Sequence, residues 1–160
     1  MSGGLTVGGV DFRTSNKRIF FDVYSGLYDG LDLAGKDYDI AEAAGQLWQP
    51  RRALSRTLEL RGAVMGVGAD LDARRQDFNA AMISVFNAIK VRTSSQVDDA
   101  PFNVVLTGPY LGIPDGDTWT AGFRYLGHSF SDPDPDWARR VLVIQLFTVD
   151  SPPDWVVDPA

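Results

Sequence analysis

Cysteine is absent from the 160-residue sequence, and histidine occurs once, as His128. The absence of cysteine excludes disulfides, thiolate metal sites and cysteine nucleophiles, and it fits a chain that folds in a reducing compartment. A lone histidine inside an apparent strand is usually structural. No serine stands on a sharp turn beside it, so the sequence does not indicate a Ser-His-Asp triad. The sequence thus indicates neither a cysteine-based nor a serine-based catalytic site.

Long apolar runs are also missing. No stretch of about 18 apolar residues occurs, so no transmembrane helix is predicted. The first residues, MSGGLTVGGVDF, lack the basic and long apolar regions of a signal peptide. We therefore expect a protein that is made in the cytoplasm and has no membrane partner.

Basic side chains are scarce in the C-terminal part of the chain. Residues 98–160 carry 3 basic and 10 acidic side chains, whereas residues 1–97 carry 12 and 11. An acidic surface of this kind either solvates loops or meets a basic neighbour, and it repels nucleic acid. The formal net charge of −6 also argues against general nucleic-acid binding.

The composition is typical of a loop-rich, mainly β protein, with 16 glycines, 9 prolines and 44% hydrophobic residues. Apolar runs at 19–24, 102–108 and 139–149 predict strands, and residues 117–130 predict one or two more. Leu58, Leu60 and Val64 alternate with Glu59 and Arg61, as in a half-buried strand. Apolar residues on both sides of the last strand predict that both of its faces are covered. We predict one domain over residues 1–160 with a mainly β (α+β) fold, a β-sandwich with one long amphipathic helix packed on it.

The predicted helix runs from about Asp70 to Arg92. Asp70 and Asp72 suit its N-terminal end, and Lys90 and Arg92 suit its C-terminal end, because the helix dipole favours those charges there. Its apolar residues recur at helical spacing and predict a face packed on the sheet, formed by Phe78, Met82, Val85, Phe86 and Ile89.

No cofactor or metal motif is complete. The stretches VGGV and GVGAD are rich in glycine but lack the lysine of a phosphate loop. The stretch DPDPDW has alternating aspartates but lacks the glycine and glutamate that a calcium loop needs at its sixth and twelfth positions. We expect no cofactor and no metal. A pair of acids that catalyses hydrolysis stays open, because such pairs form in space rather than in sequence.

All four tryptophans lie at or near predicted turns. Turn tryptophans either cover a core or, together with arginine, form the centre of a protein interface. Arginine pairs follow two of them, in WQPRR and DWARR, and this favours a binding or assembly module over an enzyme. The candidate partner-binding residues are therefore Trp48, Arg51, Arg52, Trp137 and Trp155.

Two stretches resemble the distal tail protein (Dit) family of phages with long non-contractile tails, the siphophages. They are DYDIAEAAGQLWQPRRALSRTLELRG (residues 37–62) and VIQLFTVDSPPDW (residues 143–155). The order of elements is similar over nearly the whole chain, from an N-terminal apolar strand through a helix to a last strand that closes on SPPDW.

The resemblance implies a β-sandwich with a helix, the belt domain, assembled as a hexameric ring. In that family the ring lies between the tail tube and the baseplate hub, around the channel through which DNA leaves. The implied protein is a structural component of the virion at the tail tip. Its implied partners are further copies of itself, the tail tube protein, the baseplate hub or tail-associated protein and the tape measure protein, with DNA only in transit.

The stretch SPPDW predicts a C-terminal docking tail, since Pro152 and Pro153 restrict the orientations of Trp155 and lower the entropy cost of association. A tail folded onto its own domain is the alternative. In a ring around DNA, carboxylates that face the lumen would keep DNA from adhering. Aspartates that only solvate outer loops are the alternative to that prediction. The candidate lumen-facing residues are Asp98, Asp99, Asp115, Asp117, Asp132, Asp134 and Asp136.

Two other functions stay open on the sequence. A carbohydrate-binding β-sandwich module is one, because turn tryptophans can stack on sugars. A small hydrolase that uses paired acids is the other. A monomer with affinity for sugar would favour the first of these, and a ring would favour assembly.

Overall fold

The structure is a computed structural model that describes residues 3–26, 57–93, 100–130, 137–148 and 155–160, together with five two-residue strands between these ranges. One helix, α1, spans Leu71–Ala88. The strands in these parts of the chain are β1 Gly4–Val7, β2 Val10–Asp11, β3 Ile19–Ser25, β4 Leu33–Ala34, β5 Tyr38–Asp39, β6 Gln46–Leu47, β7 Arg52–Ala53, β8 Thr57–Met65, β9 Val91–Thr93, β10 Gln96–Val97, β11 Phe102–Thr107, β12 Thr118–Phe130, β13 Arg139–Thr148 and β14 Val156–Asp158.

Eight of these strands form one antiparallel sheet in the order β2-β1-β11-β12-β13-β8-β3, with β14 paired to β12. Strand β12 is long enough to join the two halves of the sheet. Its N-terminal half pairs with β11 and its C-terminal half pairs with β13, so that Phe102 and Thr148 both lie opposite Phe123. The prediction of a mainly β fold with a helix is confirmed. In place of two separate sheets, the described residues form a single sheet, because β12 belongs to both halves.

The two ends of the sheet meet. The N–H of Phe12, which follows β2, donates to the carbonyl of Leu5 at 2.8 Å, and the N–H of Phe21 in β3 donates to the carbonyl of Phe12 at 2.7 Å. An antiparallel bridge between Arg13 and Phe20 adds to this closure. The sheet therefore curls into a closed barrel, and the edge of β3 is paired rather than exposed.

A seam of side chains covers the same edge. The hydroxyl of Tyr110 donates to Oδ1 of Asp22 at 3.0 Å and accepts from the N–H of Val23 at 3.0 Å. Arg13 forms a salt bridge with Asp22, and its guanidinium lies 4.6 Å from the centre of the Phe20 ring and 4.3 Å from that of Tyr110. Burial raises the pKa of Tyr110.

The stretch VGGV is the turn between β1 and β2. Gly8 and Gly9 both have positive φ, at 56° and 84°, as the two-residue turn of a hairpin requires. A Cβ at Gly8 would lie 2.2 Å from the carbonyl oxygen of Ala88. This turn thus packs directly against the end of the helix. That close packing accounts for the glycine at position 8, with no need for a phosphate-binding role.

The helix begins where the sequence predicts. Asp70 is its N-cap and accepts a hydrogen bond from the N–H of Ala73 at 2.7 Å. It ends earlier than predicted, at Ala88, because Lys90 adopts a left-handed conformation with φ of 65°. Lys90 and Arg92 therefore lie beyond the helix, and Arg92 belongs to β9.

The helix lies over part of the barrel interior. Phe78, Val85 and Ile89 are buried, whereas Met82 and Phe86 are half-buried against the same core. Leu58, Leu60 and Val64 of β8 are fully buried, as their alternation with Glu59 and Arg61 predicts. No helix of the described residues is long and apolar enough to cross a membrane.

The segment between β3 and β8 contains four short strands in nested pairs. Leu33 lies opposite Ala53 and Tyr38 lies opposite Leu47. Within each of these two pairs the strands run antiparallel, as β3 and β8 do.

Candidate assembly surfaces

Trp137 is the most exposed of the predicted interface residues that the structure describes. Its side chain is 58% exposed, and its backbone is left-handed with φ of 58°. The guanidinium of Arg140 lies 4.6 Å from the ring centre of Phe130 and 5.9 Å from that of Trp137. An arginine next to an exposed indole is a combination that protein interfaces favour.

Trp155 is less exposed than Trp137. Its indole is half-buried against the core, with its centroid 5.6 Å from that of Phe123. The strand that follows it is exposed instead, with Val156 at 69% and Val157 at 50%. Trp155 is thus folded onto its own domain, and all five residues that follow it, 156–160, are exposed to solvent.

The predicted partner-binding residues Trp48 and Arg51 lie outside the described residues. Arg52 is described only as part of β7, where it pairs with Ala34. Their role in an interface stays a prediction.

Of the seven aspartates predicted to face a lumen, two lie within the described residues. Asp115 is exposed. Asp117 is half-buried, and its Oδ1 accepts a hydrogen bond from the N–H of Ala160 at 2.9 Å. Asp158 lies opposite Thr118 and joins them at the same end of the barrel. The other five lie outside the described residues: Asp98, Asp99, Asp132, Asp134 and Asp136.

The single histidine belongs to an aromatic cluster beside the helix. Nδ1 of His128 is hydrogen-bonded to the hydroxyl of Tyr125, and its ring lies 5.3 Å from that of Phe86 and 5.0 Å from that of Phe130. Burial lowers the pKa of His128. These contacts describe a packed, structural histidine, as predicted for a lone histidine in a strand.

The outer face of β3, β8 and β13 forms a depression of about 650 Å³, which sequence reasoning missed. Its floor is apolar and includes Phe20, Ala63, Met65 and Val141. Its rim carries Lys17, Arg61, Arg139 and Asp22. We name this depression the outer groove. The signal for it was the row of apolar residues on the outer side of β13, where Val141 is 40% exposed.

The charges around the outer groove are unevenly paired. Asp22 is paired with Arg13, and Arg61 pairs with Glu59 at 2.6 Å and lies over the ring of Tyr24. Lys17 and Arg139 form no salt bridge with any described residue. The groove is therefore an apolar surface with an excess of positive charge on its rim.

No family model and no curated protein matches the sequence. Among solved structures, the chain is similar to SPP1 Dit (gp 19.1), a protein of the hub adsorption apparatus in phages that infect Gram-positive bacteria. The TM-score is 0.58 at 14% identity, over 94% of this chain and 51% of the Dit chain. The present chain thus spans about half the length of that Dit protein.

Two structures of contractile injection systems are also similar. One is the sheath-tube complex of the PVC extracellular contractile injection system, with a TM-score of 0.51 at 16% identity over 99% of this chain and 89% of that chain. The other is the cap that terminates the tube of the anti-feeding prophage, with a TM-score of 0.51 at 14% identity over 99% and 88%. Together with the likeness to SPP1 Dit, these similarities show that the chain has the fold of a phage distal tail protein.

Proposed function

We propose that this protein is a structural component of a siphophage virion and forms a hexameric ring at the tail tip. The ring joins the tail tube to the baseplate hub around the DNA channel, and this chain supplies the belt domain. In this proposal the two halves of the curled sheet, joined by β12, act as the two layers of a β-sandwich, and α1 packs on them with its apolar face.

The observation that carries the proposal is the match to SPP1 Dit over 94% of the chain, combined with exposed apolar surface on two separate parts of the barrel. Trp137 and Val156 expose more than half of their side chains. Exposed aromatic and aliphatic groups beside arginine suit a protein that works by assembly and not by catalysis.

The proposed partners are further copies of the chain, the tail tube protein, the hub or tail-associated protein and the tape measure protein. Within the ring, the acidic end with Asp115 and Asp117 is proposed to face the lumen, where its negative charge repels DNA in transit. The C-terminal segment is proposed to act as a docking tail.

Native mass spectrometry of the purified chain tests ring formation. We expect a hexamer whose abundance rises with protein concentration. A strict monomer at all concentrations would contradict the proposal. A monomer that binds sugar with quenching of the exposed Trp137 would favour the carbohydrate-binding alternative.

Imaging of the assembled ring tests the position of the aspartates. We expect the carboxylates of Asp115 and Asp117 on the inner wall of the ring. A basic inner wall, with Asp115 and Asp117 both on the outside, would contradict the lumen assignment but leave the ring in place.

A further inference from the structure

We infer that the outer groove binds strand β14 of a second copy of this chain. The inference rests on the proposed assembly function and deepens it, because it names the two surfaces that meet. The groove has an apolar floor and an excess of positive charge on its rim. The exposed strand β14 carries the opposite charge, on Asp158.

The two surfaces match in spacing. In a strand, residues two apart lie on one face. Val141 and Arg139 are two apart on β13 and both line the groove. Val156 and Asp158 are two apart on β14, on the face opposite to that of Trp155 and Val157. When β14 docks, Val156 would therefore contact Val141 while Asp158 lies beside Arg139.

The chain cannot make this contact within one subunit. Strand β14 pairs with Thr118–Thr120 of β12, which continues past the point where Thr148 ends β13. Arg139 lies at the other end of β13, which has 10 residues and is therefore about 30 Å long at about 3.3 Å per residue. While β14 stays paired with its own β12, it can reach only the groove of another copy.

Such a contact joins two different surfaces, one on each partner. A heterologous contact of this kind generates a closed ring or an open stack, depending on the rotation between neighbours. The docked Val156 would lose its exposed surface to Val141, Met65 and Ala63. Asp158 would lie next to Arg139 or Lys17, which steers the two copies together.

Cross-linking between single-cysteine chains tests the location, because the natural chain contains no cysteine. One chain carries Val156→Cys and a second, with a different tag, carries Val141→Cys. They are mixed and treated with a short bismaleimide linker. Any product that contains both tags joins two copies. Ile83→Cys, on an exposed helix residue (60%), replaces Val141→Cys as the matched control.

Charge reversal tests the energetics. We expect Arg139→Asp and Asp158→Arg each to weaken self-association by about tenfold, since each places like charges together, and the double variant to recover most of the loss. Gln76→Arg, which adds a positive charge at an exposed helix position, is the control and should change self-association by less than about twofold. Thermal unfolding of every variant should match that of the natural chain.

The outcomes separate the two proposals. Preferential cross-linking of Val156→Cys to Val141→Cys, together with rescue in the double variant, supports the groove contact. If the natural chain assembles but these cross-links and the charge effects are missing, the groove inference is wrong and assembly stands. If the natural chain stays monomeric at every concentration, the proposed function itself fails.

Discussion

The indole ring of Trp155 packs against the ring of Phe123, with the two centroids 5.6 Å apart. Phe123 is fully buried at the centre of β12, so this contact ties the C-terminal segment to the core. It also orients β14, because the residue after Trp155 must then point to the opposite face of the strand. The same contact that half-buries Trp155 leaves Val156 exposed on the other face.

We expect Trp155→Ala to lower the free energy of unfolding by about 2 kcal/mol. Truncation of a fully buried tryptophan costs about 3–5 kcal/mol, and the loss is smaller here because the side chain of Trp155 is half-buried. Urea unfolding measures it. Trp137→Ala is the matched control and should change stability by no more than about 0.5 kcal/mol. Equal losses for the two variants would show that Trp155 is not part of the core.

Trp137 also allows a test of backbone strain. A left-handed conformation costs a non-glycine residue about 1–2 kcal/mol, and its φ is 58°. We therefore expect Trp137→Gly to be about 1 kcal/mol more stable than Trp137→Ala. Both variants lack the indole, so the loss of its contacts lowers their stability equally and does not affect the difference between them. A less stable glycine variant would contradict the conformation.

Asp77 should contribute to stability in a pH-dependent way. Arg18 donates to both of its carboxylate oxygens, at 3.0 and 2.9 Å, and the N–H of Val67 donates to Oδ2 at 2.9 Å. The hydrogen bond from Arg18 is the main reason why the pKa of Asp77 is lowered. The folded state thus favours the charged form. This stabilisation is present above the ordinary pKa of aspartate and is lost as the pH falls through the lowered value.

Thermal unfolding of Asp77→Asn between about pH 7 and about pH 3 measures this effect. We expect the variant to be less stable at neutral pH and to lose less stability on acidification than the natural chain. Asp72→Asn, whose side chain is 89% exposed, is the control and should follow the natural chain. An unchanged acid dependence in Asp77→Asn would remove Asp77 from this role.

His128 should affect the stability of the fold at a higher pH than Asp77 does. Its pKa is lowered by burial, so the folded state favours the neutral ring and the unfolded chain binds the proton more tightly. Stability is then complete above the ordinary pKa of histidine and falls as the pH drops below it. We expect His128→Gln to flatten the melting temperature between about pH 7 and about pH 5. The same slope in both proteins would mean that another group titrates there.

Tyr110→Phe should weaken the seam beside β3. The change removes the acceptor for the N–H of Val23 and the donor to Asp22, which we expect to cost about 1–2 kcal/mol. Hydrogen exchange of the Val23 amide should become faster. Tyr24→Phe, at a residue that is 61% exposed, serves as the control. Unchanged exchange at Val23 in Tyr110→Phe would show that this hydroxyl does not protect the strand edge.

Local patterns predicted much of the fold. The cap at Asp70 and the alternation of Leu58 and Leu60 are properties of short stretches, so the sequence indicates them directly. The early end of the helix at Ala88 was missed, because Lys90 adopts a conformation that its residue type does not favour.

Long-range features were harder to predict. Closure of the barrel depends on Phe12, which follows a two-residue strand and forms bonds to both Leu5 and Phe21, and no periodicity marks such a residue. The position of Trp155 depends on contact with Phe123, which is distant in sequence. Val141 looked like a residue of a doubly covered strand. It instead lines the outer groove, since its burial depends on what lies over the sheet.

Closure of the barrel has a consequence for how the chain folds. Strand β1, at Gly4–Val7, pairs locally with β2 but finds its second partner only in β11, at Phe102–Thr107. Thr118–Thr120 of β12 likewise pair with the distant β14, at Val156–Asp158. Pairings so distant in sequence make folding slow compared with that of a helical protein. On the ribosome, one edge of β1 therefore stays unpaired until β11 has emerged. The tail strand that we propose to dock on a neighbour follows the other described strands in the chain, so those strands can pair before it becomes available to another subunit.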